Sequence, residues 1–188
     1  MAKAMRLDEF LHEEVGRLAL LVVLAWLVLL GMTFAAATVS RAAESAPVWS
    51  ADVAAVHDGD TLTAWLRSGP RRGQLVRVRL SCADAPELRQ VRGSQARALL
   101  QDLAAGQRVR VAPVGTSYDR IVARVLLADG RDLGLLLVCA GLAWCDPRYC
   151  QVRRDAAYRQ ALDGASRAGL GIWGDPGPVS PWAWRRGR

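Results

Sequence analysis

The pattern of apolar and polar positions divides the chain into two unequal parts. Residues 1–17 are polar with mixed charge, and residues 18–39 form an apolar run of 22 positions without a charged side chain. A bilayer core needs about 20 helical residues, whereas the apolar core of a secretory signal is about 7–15 long. The length therefore predicts an uncleaved transmembrane helix over 18–39. Lys3, Arg6 and Arg17 precede the run and only Arg41 follows it closely, which predicts a cytoplasmic tail over 1–17 and an exported remainder. Alanines at 35–37 and 42–43 offer a cleavage site, so secretion after signal-peptide removal is the alternative. Residues 40–49 are small and polar with Pro47 among them, and read as a linker to a domain over 50–188.

Within that domain β-prone runs fall at 53–56, 61–66 and 75–80, separated by Asp58-Gly59-Asp60 and by a basic turn over 69–73. Ala96, Leu99, Leu100 and Leu103 then recur at helical spacing, with Gly93-Ser94 to cap the helix and Gly106 to end it. Two more strands are predicted at 108–114 and 121–127, followed by an Asp129-Gly130 turn. Asp132 can cap a short helix over 133–140, and 153–168 reads as a last helix stopped by Gly169. Five strands with one helix between the third and fourth and two at the end predict an α+β domain: a five-stranded OB-fold β-barrel with three helices. The tail, 176–188, carries Trp182 and Trp184, which are expected to pack back on the domain.

Charge narrows the partners. The formal net charge is +7, and residues 41–188 alone hold 22 arginines against 14 carboxylates. Lys3 is the only lysine, so the basic groups are guanidinium forks that suit phosphate contacts, although solvated arginines explain the same excess. Four cysteines, Cys82, Cys139, Cys145 and Cys150, include no Cys-x-x-Cys pair and have only His12 and His57 beside them, which argues against zinc. In an exported domain they allow up to two disulfides, with the three connectivities left open by the sequence; Cys145 with Cys150 across the Pro147 turn is the favoured pair, and buried free thiols at Cys82 and Cys139 are the alternative.

The residues with candidate chemistry cluster between 56 and 87. Asp60, Asp84 and Glu87 lie in turns after β-like runs, and Arg79 closes an alternating strand five residues before Asp84. Hard cations take carboxylate and carbonyl oxygens, and phosphodiesters take guanidinium forks. Asp58-Gly59-Asp60-Thr61, Arg79 and Asp84-Ala85-Pro86-Glu87 together resemble the micrococcal, thermonuclease-like nuclease family. Tyr118-Asp119-Arg120, Gly141-Leu142-Ala143-Trp144 and Gly171-Ile172-Trp173 continue the resemblance in the family's order, over roughly residues 50–186.

The resemblance implies the same barrel and a calcium-dependent hydrolysis of DNA and RNA. It implies calcium ligands at Asp60, Asp84 and the carbonyl of Ala85, where the best-known member has Thr. It implies Glu87 as general base, Arg79 and Arg120 as phosphate clamps whose removal spares folding, Tyr118 at a terminal phosphate and Tyr149 lining a base pocket. For Glu87 the alternative is a carboxylate that only orders water and metal; for the two arginines it is structural ion pairing. Asp58 is expected to close an Asx-type turn, and His57 to be a solvated strand-end residue. A membrane-tethered, non-catalytic OB-fold module that binds nucleic acid or protein is the competing reading of the whole chain. The expected setting is a single-pass inner-membrane protein with a periplasmic nuclease domain, monomeric and without an obligate protein partner.

Overall fold

A computed structural model describes residues 47–146 and 155–187. The expected membrane span, Tyr149 and Cys150 lie outside the described residues. Five strands, β1 (Trp49–Val56), β2 (Thr61–Leu66), β3 (Leu75–Leu80), β4 (Arg108–Ser117) and β5 (Arg120–Leu126), close into a barrel in the order β1-β2-β3-β5-β4. This is the closed five-stranded barrel that the sequence predicts. Pairings are antiparallel except β3 with β5. A parallel pair needs a long crossover, which here consists of helix α1 (Gly93–Ala104) and β4.

The alternation in β3 turns Val76, Val78 and Leu80 into the barrel and leaves Leu75 and Arg77 exposed and Arg79 half-buried. Leu62, Leu66, Val109, Val111 and Val125 meet these side chains from the other strands. Leu100 of α1 and Leu133 and Leu137 of α2 (Leu133–Cys139) close the core. Each such residue contributes roughly 1.5–3 kcal/mol by leaving water.

Several boundaries differ from expectation. β1 begins inside the stretch read as linker, because Trp49 pairs with Val111 of β4. The start of α1 is not capped by Gly93-Ser94: Arg92, left-handed at φ 69°, precedes the helix and supplies no side-chain cap. Asp132 does cap α2, accepting from the Gly134 amide at 2.9 Å. Helix α3 (Ala156–Arg167) is capped by Asp155. Beyond the three expected helices, the described residues contain a 3-10 turn (Gly171–Gly174) and a short α4 (Pro181–Arg186). The tail packs back through Trp182, edge-on to Trp144 at 5.7 Å, while Trp144 also lies 4.5 Å from Trp173.

The cysteines correct the favoured pairing. Cys145 is a free thiol within the core, and burial pushes its pKa up to about 12. Cys139 is also free but exposed, and Cys82 is disulfide-bonded, so the alternative of buried free thiols at Cys82 and Cys139 does not hold. Turn proximity favours a pairing between near neighbours in sequence, whereas packing has committed Cys145 to the apolar interior.

Candidate active site

Two turns build the site. The first joins β1 to β2, where Asp58 Oδ1 accepts from the Asp60 amide at 3.0 Å and closes the expected Asx turn. Gly59 is required by contact: a Cβ there would lie 2.5 Å from Ala85 Cβ and 2.6 Å from Ala96 Cβ. Its bare backbone lets the first turn rest on both the second turn and α1. The second turn follows β3 and is pinned by Trp144, since Asp84 and Trp144 exchange backbone hydrogen bonds of 2.8 and 2.9 Å. Gly93 fixes the far side of that turn. A Cβ on it would approach the Glu87 carbonyl to 2.0 Å, so α1 starts directly against Glu87.

Arg79 joins the two turns. Its Nη1 donates to Asp60 Oδ1 at 2.5 Å and its Nη2 to Asp84 Oδ1 at 2.7 Å. Asp60 also accepts from Thr61 Oγ1 and, through Oδ2, from the Ala85 amide at 2.9 Å. Both carboxylates are only 5 % exposed, against 21 % for the arginine side chain. Burial raises the Asp60 pKa above the ordinary carboxylate range in spite of Arg79, because one guanidinium is shared by two buried acids and Asp58 and Asp84 add repulsion. Burial opposes the charge of Arg79 too, but Asp60 and Asp84 outweigh it and hold the group protonated.

The turns border a cavity of about 510 Å³. Its opposite wall is the β4–β5 corner, which contributes Ser117, Tyr118 and Arg120. Tyr118 is 96 % exposed and left-handed at φ 56°. Arg120 has no carboxylate partner among the described residues, in contrast to Arg79. Asp60, Arg79, Asp84, Ala85, Glu87, Tyr118 and Arg120 all line this one space. His57 is an exposed residue bonded to Thr63 and stands apart from it.

Two further charged residues that the sequence did not single out line the cavity, the buried Asp146 and Arg185 of α4. Arg185 donates to Asp84 and to Glu87 Oε1, each at 2.9 Å. A signal for it existed: Trp182 and Arg185 are three residues apart on a helix and share a face, so a tail that buries the tryptophan directs the arginine inward.

Among the described residues no group of three or more His, Cys, Asp and Glu is arranged to hold a metal ion. The donor chemistry nevertheless fits a hard divalent cation. Five carboxylates, Asp58, Asp60, Asp84, Glu87 and Asp146, border the cavity against three guanidiniums, Arg79, Arg120 and Arg185. Among the described residues that lining holds more carboxylates than guanidiniums, and carboxylate oxygens are the ligands a hard divalent cation takes.

Comparison with known proteins identifies the family. A family profile described as staphylococcal nuclease homologue matches residues 77–175. An uncharacterized endonuclease of Haemophilus influenzae is 36% identical over 135 residues, 71% of this chain and 71% of that protein. The micrococcal nuclease of Shigella flexneri is 33% identical over 154 residues, 76% of this chain and 85% of its own. An uncharacterized endonuclease of Escherichia coli is 34% identical over 144 residues, 74% and 89% of the two chains. With the barrel, the two acidic turns and these relatives in agreement, the chain belongs to the staphylococcal nuclease family and is a nuclease.

Proposed function

We propose that the chain hydrolyses phosphodiester bonds of DNA and RNA in a calcium-dependent reaction. The observation that carries this reading is convergence: residues from the β1–β2 turn, the end of β3 and the β4–β5 corner border a single cavity. Asp60, Asp84 and the carbonyl of Ala85 would hold the calcium ion. Bound there, calcium would offset the charge of the carboxylates and polarise a phosphoryl oxygen.

The chain's own groups do the rest. Glu87, half-exposed at 33 % at the edge of the cavity, accepts the proton of the attacking water. Arg120, without a carboxylate partner among the described residues, directs its fork at the phosphoryl oxygens as charge gathers on them. Arg79 adds positive charge beside the same oxygens while tying the two acidic turns together. The exposed Tyr118 hydroxyl donates to a terminal phosphate, and Tyr149, outside the described residues, lines the base pocket. Residues 18–39 anchor the chain in the inner membrane with the nuclease domain outside the cytoplasm. Linker residues then restrict cleavage to nucleic acid near the membrane surface.

Incubation of the full-length chain with DNA and with RNA, in calcium, magnesium or chelator, tests the reading. Cleavage of both polymers in calcium and none in chelator is expected. Undiminished cleavage in excess chelator would remove calcium from the reaction, and no cleavage of either polymer in any metal would favour the binding module. Protease treatment of intact spheroplasts, with sequencing of the mature N-terminus, tests the anchor. Protection of the domain would reverse its orientation, and an N-terminus near residue 37 or 43 would replace the anchor by a signal peptide.

A further inference from the structure

Arg185 reaches from α4 across the cavity to the carboxylates that the proposed reaction uses. Its Nη2 donates to Asp84 Oδ2 at 2.9 Å, and its Nη1 to Asp84 Oδ1 at 3.3 Å and Glu87 Oε1 at 2.9 Å. Arg79 already donates to Asp84 Oδ1 at 2.7 Å, so both oxygens of Asp84 are covered by guanidinium donors.

This placement is built by contacts along the whole tail. Trp144, whose backbone pins Asp84, carries Trp182 of α4 on its indole, so one residue positions both ends of the Arg185–Asp84 pair. Gln90 makes a second tie: its Oε1 accepts from the Glu87 amide at 3.2 Å and its Nε2 donates to the Val179 carbonyl. Arg92 forks onto Asp175 with contacts of 2.6 and 2.9 Å, which fastens the chain leading into α4 to the start of α1. Ser180 then caps α4 by accepting from the Ala183 amide.

We propose that Arg185 is a built-in competitor for the divalent cation. It holds Asp84 and Glu87 and must release them when the cation loads. The inference rests on the reading of Asp84 as a metal ligand. A divalent ion at Asp84 would meet a like charge held 2.9 Å from the oxygen it needs, and two cations on one carboxylate repel. Of the two arginines on Asp84, Arg185 is the one that can yield. Its side chain is 43 % exposed and has solvent to enter, whereas Arg79 is 21 % exposed and bonded to two buried acids. Release also frees Glu87 Oε1, the oxygen that the Arg185 guanidinium holds. The tail helix therefore sets a threshold of metal concentration below which Arg185 stays on Asp84 and Glu87.

Calorimetric titration of calcium alone into the full-length chain, without nucleic acid, tests this. Arg185→Gln is expected to bind calcium about three- to tenfold tighter, the size of one or two half-exposed ion pairs that no longer have to open. Arg185→Lys keeps the charge without the fork and should fall between Gln and wild type. Arg186→Gln removes the same charge from a residue outside the cavity lining and should leave affinity within about twofold. Asp84→Asn reads the underlying assignment by losing calcium binding. If Asp84→Asn binds calcium as wild type does, the metal reading falls and the competitor role with it. If Asp84→Asn loses binding while Arg185→Gln binds no tighter than wild type, the competitor role alone is overturned. Equal tightening by Arg186→Gln would assign the effect to general charge and overturn it as well. Should Arg185→Gln fail to melt cooperatively, Arg185→Lys decides, and affinity at or below wild type overturns the proposal.

Discussion

Replacing Arg79 by alanine removes the guanidinium that Asp60 and Asp84 share. Asp84 keeps Arg185, but Asp60 is left with neutral donors only, the Ala85 amide and the Thr61 hydroxyl. Removing one partner of a buried ion pair costs about 3–5 kcal/mol. Here Arg79 is partly exposed and Asp60 can take up a proton, so the expected loss is about 2–3 kcal/mol. For a domain of this size that lowers the melting temperature by roughly 4–12 °C. The loss must also depend on pH. A carboxyl whose folded pKa is raised keeps a proton that the unfolded chain has released, so its folded state loses stability as pH rises from the ordinary carboxylate value through the raised one. Without Arg79 that value rises further, and the variant is hurt more at pH 8 than at pH 5. Urea denaturation followed by tryptophan fluorescence at the two pH values measures both quantities. A variant within about 0.5 kcal/mol of wild type at pH 8, or one hurt more at pH 5, would refute the account of Arg79 as the shared counter-ion. The sequence alone had predicted that folding survives this change.

Arg120→Ala should behave in the opposite way, losing about 10²–10³-fold in kcat while its melting temperature stays within a degree or so; a large stability loss with activity retained would make it structural. Gly59→Ala should cost about 1–3 kcal/mol, because its Cβ meets Ala85 and Ala96 at 2.5 and 2.6 Å, and a melt indistinguishable from wild type would contradict that contact. Arg108 and Arg67 hold the Asp52 carboxyl down to about 2. Its contribution is therefore present above the ordinary carboxylate value and lost as pH falls toward about 2, so Asp52→Asn should flatten the acid limb of the stability curve at low salt. Superimposable acid limbs for the two proteins would sink that reading.

Local pattern carried much of this molecule. The period-two alternation of β3 reports which side chains enter the barrel, and it does so because successive residues of a strand face opposite ways whatever the rest of the chain does. Asp132 before an apolar run identifies its own helix start for a similarly local reason, since the cap is satisfied within three residues. The acidic turns and the β4–β5 corner were visible as short motifs, each complete within a few positions. What the pattern could not hold are relations between distant segments. Arg92 takes the cap position of α1 because Gly93 must slip past the Glu87 carbonyl, a contact no helical periodicity encodes. Cys145 is withdrawn from disulfide chemistry by core packing, although its spacing favoured a pair. The double duty of Arg79 depends on the register of β2 with β3, which sets Thr61 opposite Arg79, and on the turn after β3 folding back toward the same guanidinium. Arg185 lies 101 residues from Asp84 along the chain. Barrel closure and the tryptophan contact of the tail bring their charges together, and only the folded chain sets that distance.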